Sequence, residues 1–580
     1  MASAVHRHVP SRLDMAAFEA KAMALRALRA AKEALAREAV QCHAPSDDLR
    51  DAPVVARVRS PLWSGPAGAK EYALTAGKIQ NLRIALRGID GVVVPAGEAF
   101  SFWRQVGRAS RRRGFVAGRE LREGCLVKSV GGGLCQLSNA LYEAALSAGF
   151  EILERHAHSR VVPGSRAAVE RDATVFWNYV DLRFRSRAAF RIEARLTGHH
   201  LEVLFRAEPR GVERSAGPVP EGADPRAAAN DCTICGERRC HLNDPETGMV
   251  TRRPTAWLVD GCTPEFSALL ARDATSDDAL FLPMRRPARA RYAWPARCGS
   301  ETTAPFTALR RALALRRAPA QGRALQSRLL VFDAKLAETY ARKLSHLHTH
   351  AVVAQSLLPH LWMMGALAGR TFDVLVERWP LAELQRRLDG ALQAHPESPT
   401  LGDFRAPPEL VAAEMQALAA AEKLYTPHRA IAAFLGDRAV VLDWAMPAAT
   451  KPVARGGRTV LFPASALGRK GAYELREAAR GLEVELLVAG GAKEHDGDFW
   501  AGITARRLDG AMPERLAAVV LPAIVEHQPR ALLRALAAGI PVIATEACGL
   551  GERPGVATVP ELDAAMLREA LERVLEANGE

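Results

Sequence analysis

Residues 459–491 read TVLFPASALGRKGAYELREAARGLEVELLVAGG, and residues 519–545 read VVLPAIVEHQPRALLRALAAGIPVIAT. In both, near-continuous apolar runs (TVLF, VELLV, VVLPA, PVIAT) give way to stretches with helical spacing, one from about Tyr473 and one from Pro529. Runs too uniformly apolar to alternate belong to strands covered on both faces, and such strands interleaved with helices make a parallel sheet.

The same texture extends backwards. AWLVDG, ALFLPM, LLVFDA, AVVAQSLL, FDVLV, KLYTP and AVVLDW are apolar runs separated by helix-like stretches, and MPAATKPVARGGR (446–458) is a Pro/Gly-rich joint. Two blocks with a joint predict two Rossmann-like doubly wound domains, 251–450 and 451–580, facing one cleft. Residues 207–231 (AEPRGVERSAGPVPEGADPRAAAND) are rich in Pro, Gly and charge, which places a linker over 211–250. From 55 to 210, short apolar runs broken by glycine predict a mixed α+β domain whose sheet is mostly antiparallel, with a helix over Leu134–Ala148. Residues 14–41 carry apolar positions every three to four residues, an amphipathic helix within an N-terminal segment 1–54. The fold class is therefore multidomain, α+β followed by α/β, in line with 580 residues at about 150 per domain.

Composition narrows the function. Hydrophobic residues at 48% and charged ones at 25% are ordinary globular values. No run approaches about 18 uninterrupted apolar residues, so no membrane span is expected, while peripheral membrane contact stays open. The N-terminus, MASAVHRHVPSRLDMAAF, lacks an apolar core and an A-x-A site, and the expected compartment is the cytoplasm. The net charge is +13, but the arginines are scattered and aromatics amount to 6%. That pattern argues against nucleic acid and for solvated faces or anionic small substrates.

Three sets of residues carry chemistry. GGGLCQLSNALYEAALSAG (131–149) delivers Cys135 to the first turn of a helix, where unpaired amides and the helix dipole favour a thiolate. ERHAHS (154–159) places His156 and His158 two apart on an expected strand, and Asp172 follows in RDATV. A cysteine, a histidine and an acid in that order follow the logic of thiol acyl transfer; a buried cysteine beside a satisfied histidine pair is the structural alternative. DCTICGERRCH (231–241) is a C-x2-C-x4-C-H array: Cys232, Cys235 and Cys240 offer three thiolates to zinc or an iron–sulfur cluster, with His241 or Cys262 as the fourth ligand. In the last domain, Lys470 and a helix after Glu526 suit a pyrophosphate at the C-terminal edge of a sheet.

GKIQNLRIA (77–85), PAGEAFSFWRQVG (95–107), GGGLCQLSNALYEAAL (131–146), ERHAHS and RDATVFWNYVDLRF (171–184) together resemble the VanW family, the accessory proteins named after vancomycin B-type resistance clusters. The resemblance covers about residues 55–210; it implies a cell-wall or glycopeptide connection and fits a transglutaminase-like thiol site. Residues 459–545 resemble the nucleotide-sugar half of a GT-B glycosyltransferase of the retaining, group-1 type. In that family a Lys–Gly turn neutralises the donor diphosphate and an E-x7-E motif follows. Lys470-Gly471 stand at the turn, Glu526 at the first acid, and Gly539, Pro541 and Val542 match the turn after it. The second acid is replaced by Arg534, and the usual arginine five residues before the lysine is Ser465, with Arg469 adjacent as a substitute.

The expectation is a fusion that transfers a glycosyl unit from a nucleotide-sugar to an envelope or glycopeptide-like acceptor. Its alternatives are a binding or regulatory protein with degenerate modules, and a thiol amidase or transpeptidase acting on peptidoglycan-type peptides.

Overall fold

The structure is a computed structural model. It describes residues 12–35, 40–65, 68–122, 125–157, 172–208, 249–285, 290–317, 322–448, 454–494, 498–509, 513 and 515–577. The chain forms two compact units. One comprises residues 1–254 with the short segments 345–350 and 367–371; the other comprises 255–344, 351–366 and 372–580.

The first unit opens with α1 (Arg12–Leu35) and β1 (Val54–Pro61), then α2 (Ala69–Leu86), β2 (Val92–Val94), β3 (Ala99–Ser101) and α3 (Phe102–Val106). A hairpin of β4 (Ala117–Arg122) and β5 (Cys125–Val130) leads into α4 (Cys135–Ser147), followed by β6 (Glu151–Glu154), β7 (Arg183–Arg185), β8 (Phe190–Leu196) and β9 (His200–Ala207). These strands form sheets ordered β1-β9-β8-β2, β3-β7-β6 and β4-β5, antiparallel at every pair. Alternation explains β8, whose Phe190, Ile192, Ala194 and Leu196 are buried while the residues between them are not. Phe150 stacks on Phe205 (centroids 5.5 Å) and Phe100 on Phe184 (4.7 Å), joining the sheets through one aromatic core.

Two readings of this region change. The strand expected over ERHAHS ends at Glu154 because that residue is captured by Arg29 of α1, which donates to both its oxygens (2.8 and 2.7 Å). Arg155 then turns to donate to the Asp172 carbonyl (2.7 Å), so His156 lies beyond the strand. TVFWNYVDLRF is likewise no continuous strand: Phe176 and Val180 pair across a tight turn before β7.

The second unit contains two parallel sheets. The first orders its strands β12-β11-β10-β13-β14-β15-β16, from β10 (Thr255–Leu258), β11 (Ala279–Leu282), β12 (Ser300–Thr303), β13 (His350–Ala354), β14 (Thr371–Leu375), β15 (Leu424–Thr426) and β16 (Ala439–Val441). Its helices are α5 (Pro264–Asp273), α6 (Pro305–Arg316), α7 (Arg323–Lys343), α8 (Leu358–Met363), α9 (Leu381–Ala394), α10 (Pro408–Ala420) and α11 (Arg429–Leu435). The second sheet runs β19-β18-β17-β20-β21-β22, from β17 (Ala454–Phe462), β18 (Glu485–Val488), β19 (Ala505–Arg507), β20 (Arg515–Leu521), β21 (Val542–Thr545) and β22 (Val556–Val559), all parallel. Helices α12 (Ala472–Ala479), α13 (Arg530–Ala537) and α14 (Ala564–Glu576) cover it. Counted within its own sheet, each begins 3-2-1-4-5-6, the doubly wound order, and each reverses direction between its first and fourth strands.

Candidate functional site

Ligands of such sheets sit beyond the carboxyl ends of the strands at the point of reversal. In the second sheet that point lies between β17 and β20. The loop after β17 carries Arg469 and Lys470; the loop after β20 carries Glu526 and His527. Gly471 joins the first loop to α12 at a φ of 75°, and a Cβ there would fall 1.9 Å from the Pro522 carbonyl oxygen, so glycine alone brings the two loops together. The Ile524 and Val525 amides then donate to the Arg469 carbonyl (3.1 and 3.2 Å).

Lys470 Nζ donates to Glu526 Oε2 (2.8 Å) and to the Val525 carbonyl (3.3 Å). Glu526 Oε1 accepts from the His527 and Gln528 amides at 2.8 Å each. Burial works to raise the Glu526 carboxyl, but the charge and hydrogen bond of Lys470 with the two amides outweigh it and hold it below its usual range. Burial drives the His527 imidazole well below its ordinary pKa, and Lys470, His428, Arg378 and Arg469 add to the effect; its Nε2 is buried and makes no hydrogen bond among the described residues. Arg469 lies over the Phe404 ring (5.1 Å), and burial lowers its pKa. Lys470, paired with Glu526, and Arg469 thus stand near a neutral imidazole, and cations of this kind can meet a phosphate-bearing ligand. Arg534 is exposed on α13.

The first sheet presents its own edge. Asp260, just past β10, accepts from Arg311 of α6 (2.7 Å), and Arg311 also reaches Asp333 of α7 (3.2 Å). Burial pushes the Asp333 carboxyl up to about 7, and burial with Asp260 nearby pushes Glu377, past β14, up to about 8. The two halves are bound to each other by buried polar groups. Glu265 of α5, its side chain fully buried, takes both Nη atoms of Arg530 (2.8 and 2.6 Å) and the Ala445 amide (2.8 Å). His428 Nδ1 accepts the Ile431 amide (3.2 Å), which leaves Nε2 as the donor toward the Glu526 and Ala547 carbonyls (3.0 and 3.1 Å). Arg530, Glu265 and His527 were not singled out from sequence. An acid in the first turn of the helix after the first strand was the one available signal, and it is ambiguous with an ordinary helix start.

In the first unit, Cys135 opens α4, partly exposed, with its Sγ 3.5 Å from Thr174 Oγ1. Gly133 holds a φ of 93° against Lys78, whose Cγ is 2.3 Å from where a Cβ would stand. Asn81 pins the glycine loop through the Gly132 and Val116 carbonyls (2.9 and 3.1 Å), while Ser138 donates to the Ala173 carbonyl (2.6 Å) and Asn139 accepts its amide (2.7 Å). His156 is exposed beside Glu154 (3.4 Å), and Asp172 is buried. The structure therefore gives Cys135 a threonine neighbour, whereas the polar neighbour of His156 is a glutamate. His158 lies outside the described residues.

Lys78 Nζ donates to the Leu62 carbonyl (2.8 Å), and burial, with Arg119 nearby, lowers its pKa from 10.5 to about 7. Between those values the unfolded chain binds a proton that the folded chain has released, so stability rises with pH across that interval. Lys78→Met is expected to flatten the rise of Tm from pH 7 to pH 10.5, measured by thermal unfolding at each pH.

Cys232, Cys235, Cys240 and His241 lie outside the described residues. Cys262 is described; burial raises its thiol pKa, and its Sγ lies near the Thr263 carbonyl (3.8 Å). Among the described residues, no group of three or more His, Cys, Asp or Glu side chains could hold a metal ion.

Residues 77–206 match the family model described as VanW like protein. Two curated relatives align with part of the chain. "Uncharacterized protein YoaR" of Bacillus subtilis (strain 168) is 38% identical over 107 residues, 18% of this chain and 35% of the relative. "Vancomycin B-type resistance protein VanW" of Enterococcus faecalis (strain ATCC 700802 / V583) is 34% identical over 114 residues, 19% of this chain and 41% of the relative. The chain thus spans between a third and a half of the length of these relatives. Similar solved structures include a sucrose-phosphate synthase from Thermosynechococcus elongatus (16% identity, TM-score 0.36, covering 57% of this chain and 91% of that one). Another is WaaG, a glycosyltransferase involved in lipopolysaccharide biosynthesis (15%, 0.33, 56% and 92%). A third is Anabaena Alr3699/HepE in complex with UDP and glucose (14%, 0.34, 56% and 90%). The doubly wound strand orders, rather than these overall scores, carry the fold assignment of the second unit.

Proposed function

We propose that the second unit is a glycosyltransferase module working in the cytoplasm, and that it transfers a glycosyl unit from a nucleotide-sugar, with the retaining group-1 pattern, to a cell-envelope or glycopeptide-like acceptor. The observation that carries this is the meeting of Lys470 and Glu526 at the reversal point of the second sheet, beside Arg469 and the neutral His527. A diphosphate there meets the Lys470 and Arg469 cations at the place where doubly wound sheets hold nucleotides. The VanW-like part supports the choice of acceptor: one relative is named for vancomycin B-type resistance. The test is calorimetry of the full chain with uridine and guanosine diphosphate. Heat of binding is expected; its absence at millimolar nucleotide makes the second unit a scaffold within a binding or regulatory protein. Arg534 stands where the family has an acid, so Arg534→Glu is expected to change donor preference in the same assay.

A second reading, a thiol amidase or transpeptidase acting on peptidoglycan-type peptides, is favoured by one observation: Cys135 opens a 13-residue helix on a pinned glycine loop and is partly exposed. Iodoacetamide is expected to label Cys135 of the native chain near neutral pH. Cys548, whose thiol burial pushes up to about 12, should stay unlabelled until the chain unfolds. A Cys135 that resists labelling would remove the nucleophile. The cluster Cys232, Cys235, Cys240 and His241, with Cys262, completes the reading as a zinc or iron–sulfur clip; about one metal per chain, lost in Cys232→Ser/Cys235→Ser, is the expected elemental analysis.

A further inference from the structure

Helix α6 leaves an apolar stripe uncovered. Phe306 is 83% exposed, Leu309 51% and Leu313 46%. At about 100° per residue these three lie within about 60° of one another on the helix, with Arg310 on one side, Arg316 on the other and Arg317 at the C-terminal end. All three arginines are exposed, and among the described residues none is in an ion pair. The helix, PFTALRRALALR, contains no acidic residue. The opposite face explains why α6 is a helix of this unit at all. Ala308 is buried there and Arg311 turns inward to Asp260 (2.7 Å), so the exposed stripe is not needed for packing. Large apolar side chains framed by exposed guanidinium groups match a bilayer interface, where the rings and branches enter the acyl boundary and the arginines meet anionic headgroups. A protein partner of the same shape would need acids at two separate flanks of one narrow stripe, whereas a lipid surface supplies negative charge on both sides at once.

We propose that the exposed face of α6 docks the second unit on a membrane surface rich in anionic phospholipid. The docking stands apart from the reading of the donor site, because it requires neither Lys470 nor Glu526.

The experiment is flotation of the full chain with vesicles of equal parts phosphatidylcholine and phosphatidylglycerol, and with phosphatidylcholine alone. The chain is expected to float with the anionic vesicles, and high salt should release it as the charges are screened. Arg310→Gln/Arg316→Gln/Arg317→Gln is expected to lower binding on the order of 100-fold, since each arginine near an anionic surface contributes about fivefold. Phe306→Ser/Leu313→Ser should lower it by more than about tenfold. Phe434→Ser, a change at another exposed apolar residue, on α11, should leave it unchanged. An unchanged Tm for each variant keeps the comparison one of surfaces. Failure of the wild-type chain to float, equal flotation of all variants, or a concentration-dependent dimer that Phe306→Ser dissolves without any vesicle binding would each overturn the proposal. Nucleotide calorimetry on the same preparations reports separately on the donor site.

Discussion

Arg530→Met is expected to cost the second unit about 3–5 kcal/mol of stability. The reason is the carboxylate left behind. Glu265 is fully buried and takes both arms of the guanidinium, and without them it keeps only backbone amides, that of Ala445 and its own. Arg530 itself retains some exposure and stacks near Trp444 (5.4 Å), so Glu265→Gln should cost less, since the cation freed by that change can still reach water. The pair also sets a pH dependence. Burial alone would raise the Glu265 carboxyl, but the hydrogen bonds from Arg530 and Ala445 hold it below its ordinary 4.5. A carboxyl lowered in the folded state contributes stability above 4.5 and loses it as pH falls through the folded value. Chemical denaturation from pH 7 down to pH 3 should show that loss in the wild type and a flatter profile in Arg530→Met, whose buried acid gains from protonation instead. Equal stability of the two proteins at pH 7 would mean that the halves do not depend on this pair.

Lys470→Ala should weaken binding of uridine or guanosine diphosphate roughly 10- to 150-fold, as expected for removing one charge-assisted contact of about 1.5–3 kcal/mol. The change also frees Glu526, whose Oε1 is still held by two amides, so a negative group now faces the phosphates and pushes the loss toward the upper end. Lys470→Arg keeps the charge and should recover part of the affinity, although a longer, planar guanidinium does not place its charge where the compact ammonium between Glu526 and the Val525 carbonyl does. An affinity unchanged in Lys470→Ala, measured by calorimetry with the fold confirmed by an unchanged Tm, would move the nucleotide elsewhere.

The glycines show how far pattern carries a site. GRKG and GGGLC each announced a turn, and each turn is present: Gly471 comes so close to Pro522 that no side chain fits, and Gly133 bears the same relation to Lys78. What pattern did not carry was partnership. The spacing of ERHAHS places His156 and His158 on a strand, yet β6 stops at Glu154 because an arginine from α1, far earlier in the chain, takes both carboxylate oxygens. No local period encodes a contact across 125 residues. Arg530 looked like one more arginine in an arginine-rich chain until Glu265, 265 positions away, proved to be its partner.

The sequence by itself determined the fold class and most of the parallel strands, although LLVFDA (329–334), one of the apolar runs, lies inside α7. Uniform apolar runs alternating with helical spacing point to parallel sheets covered on both faces, and glycine before Cys135 and after Lys470 permits the sharp turns found there, because both follow from properties of neighbouring residues. Only the tertiary structure decided which charges meet. The neutrality of His527, the lowered carboxyls of Glu265 and Glu526 and the raised ones of Asp333 and Glu377 arise from burial and from charges brought together across sheets. Coulomb energy depends on distance through space and on the water excluded between groups, and neither is written in the order of residues along the chain.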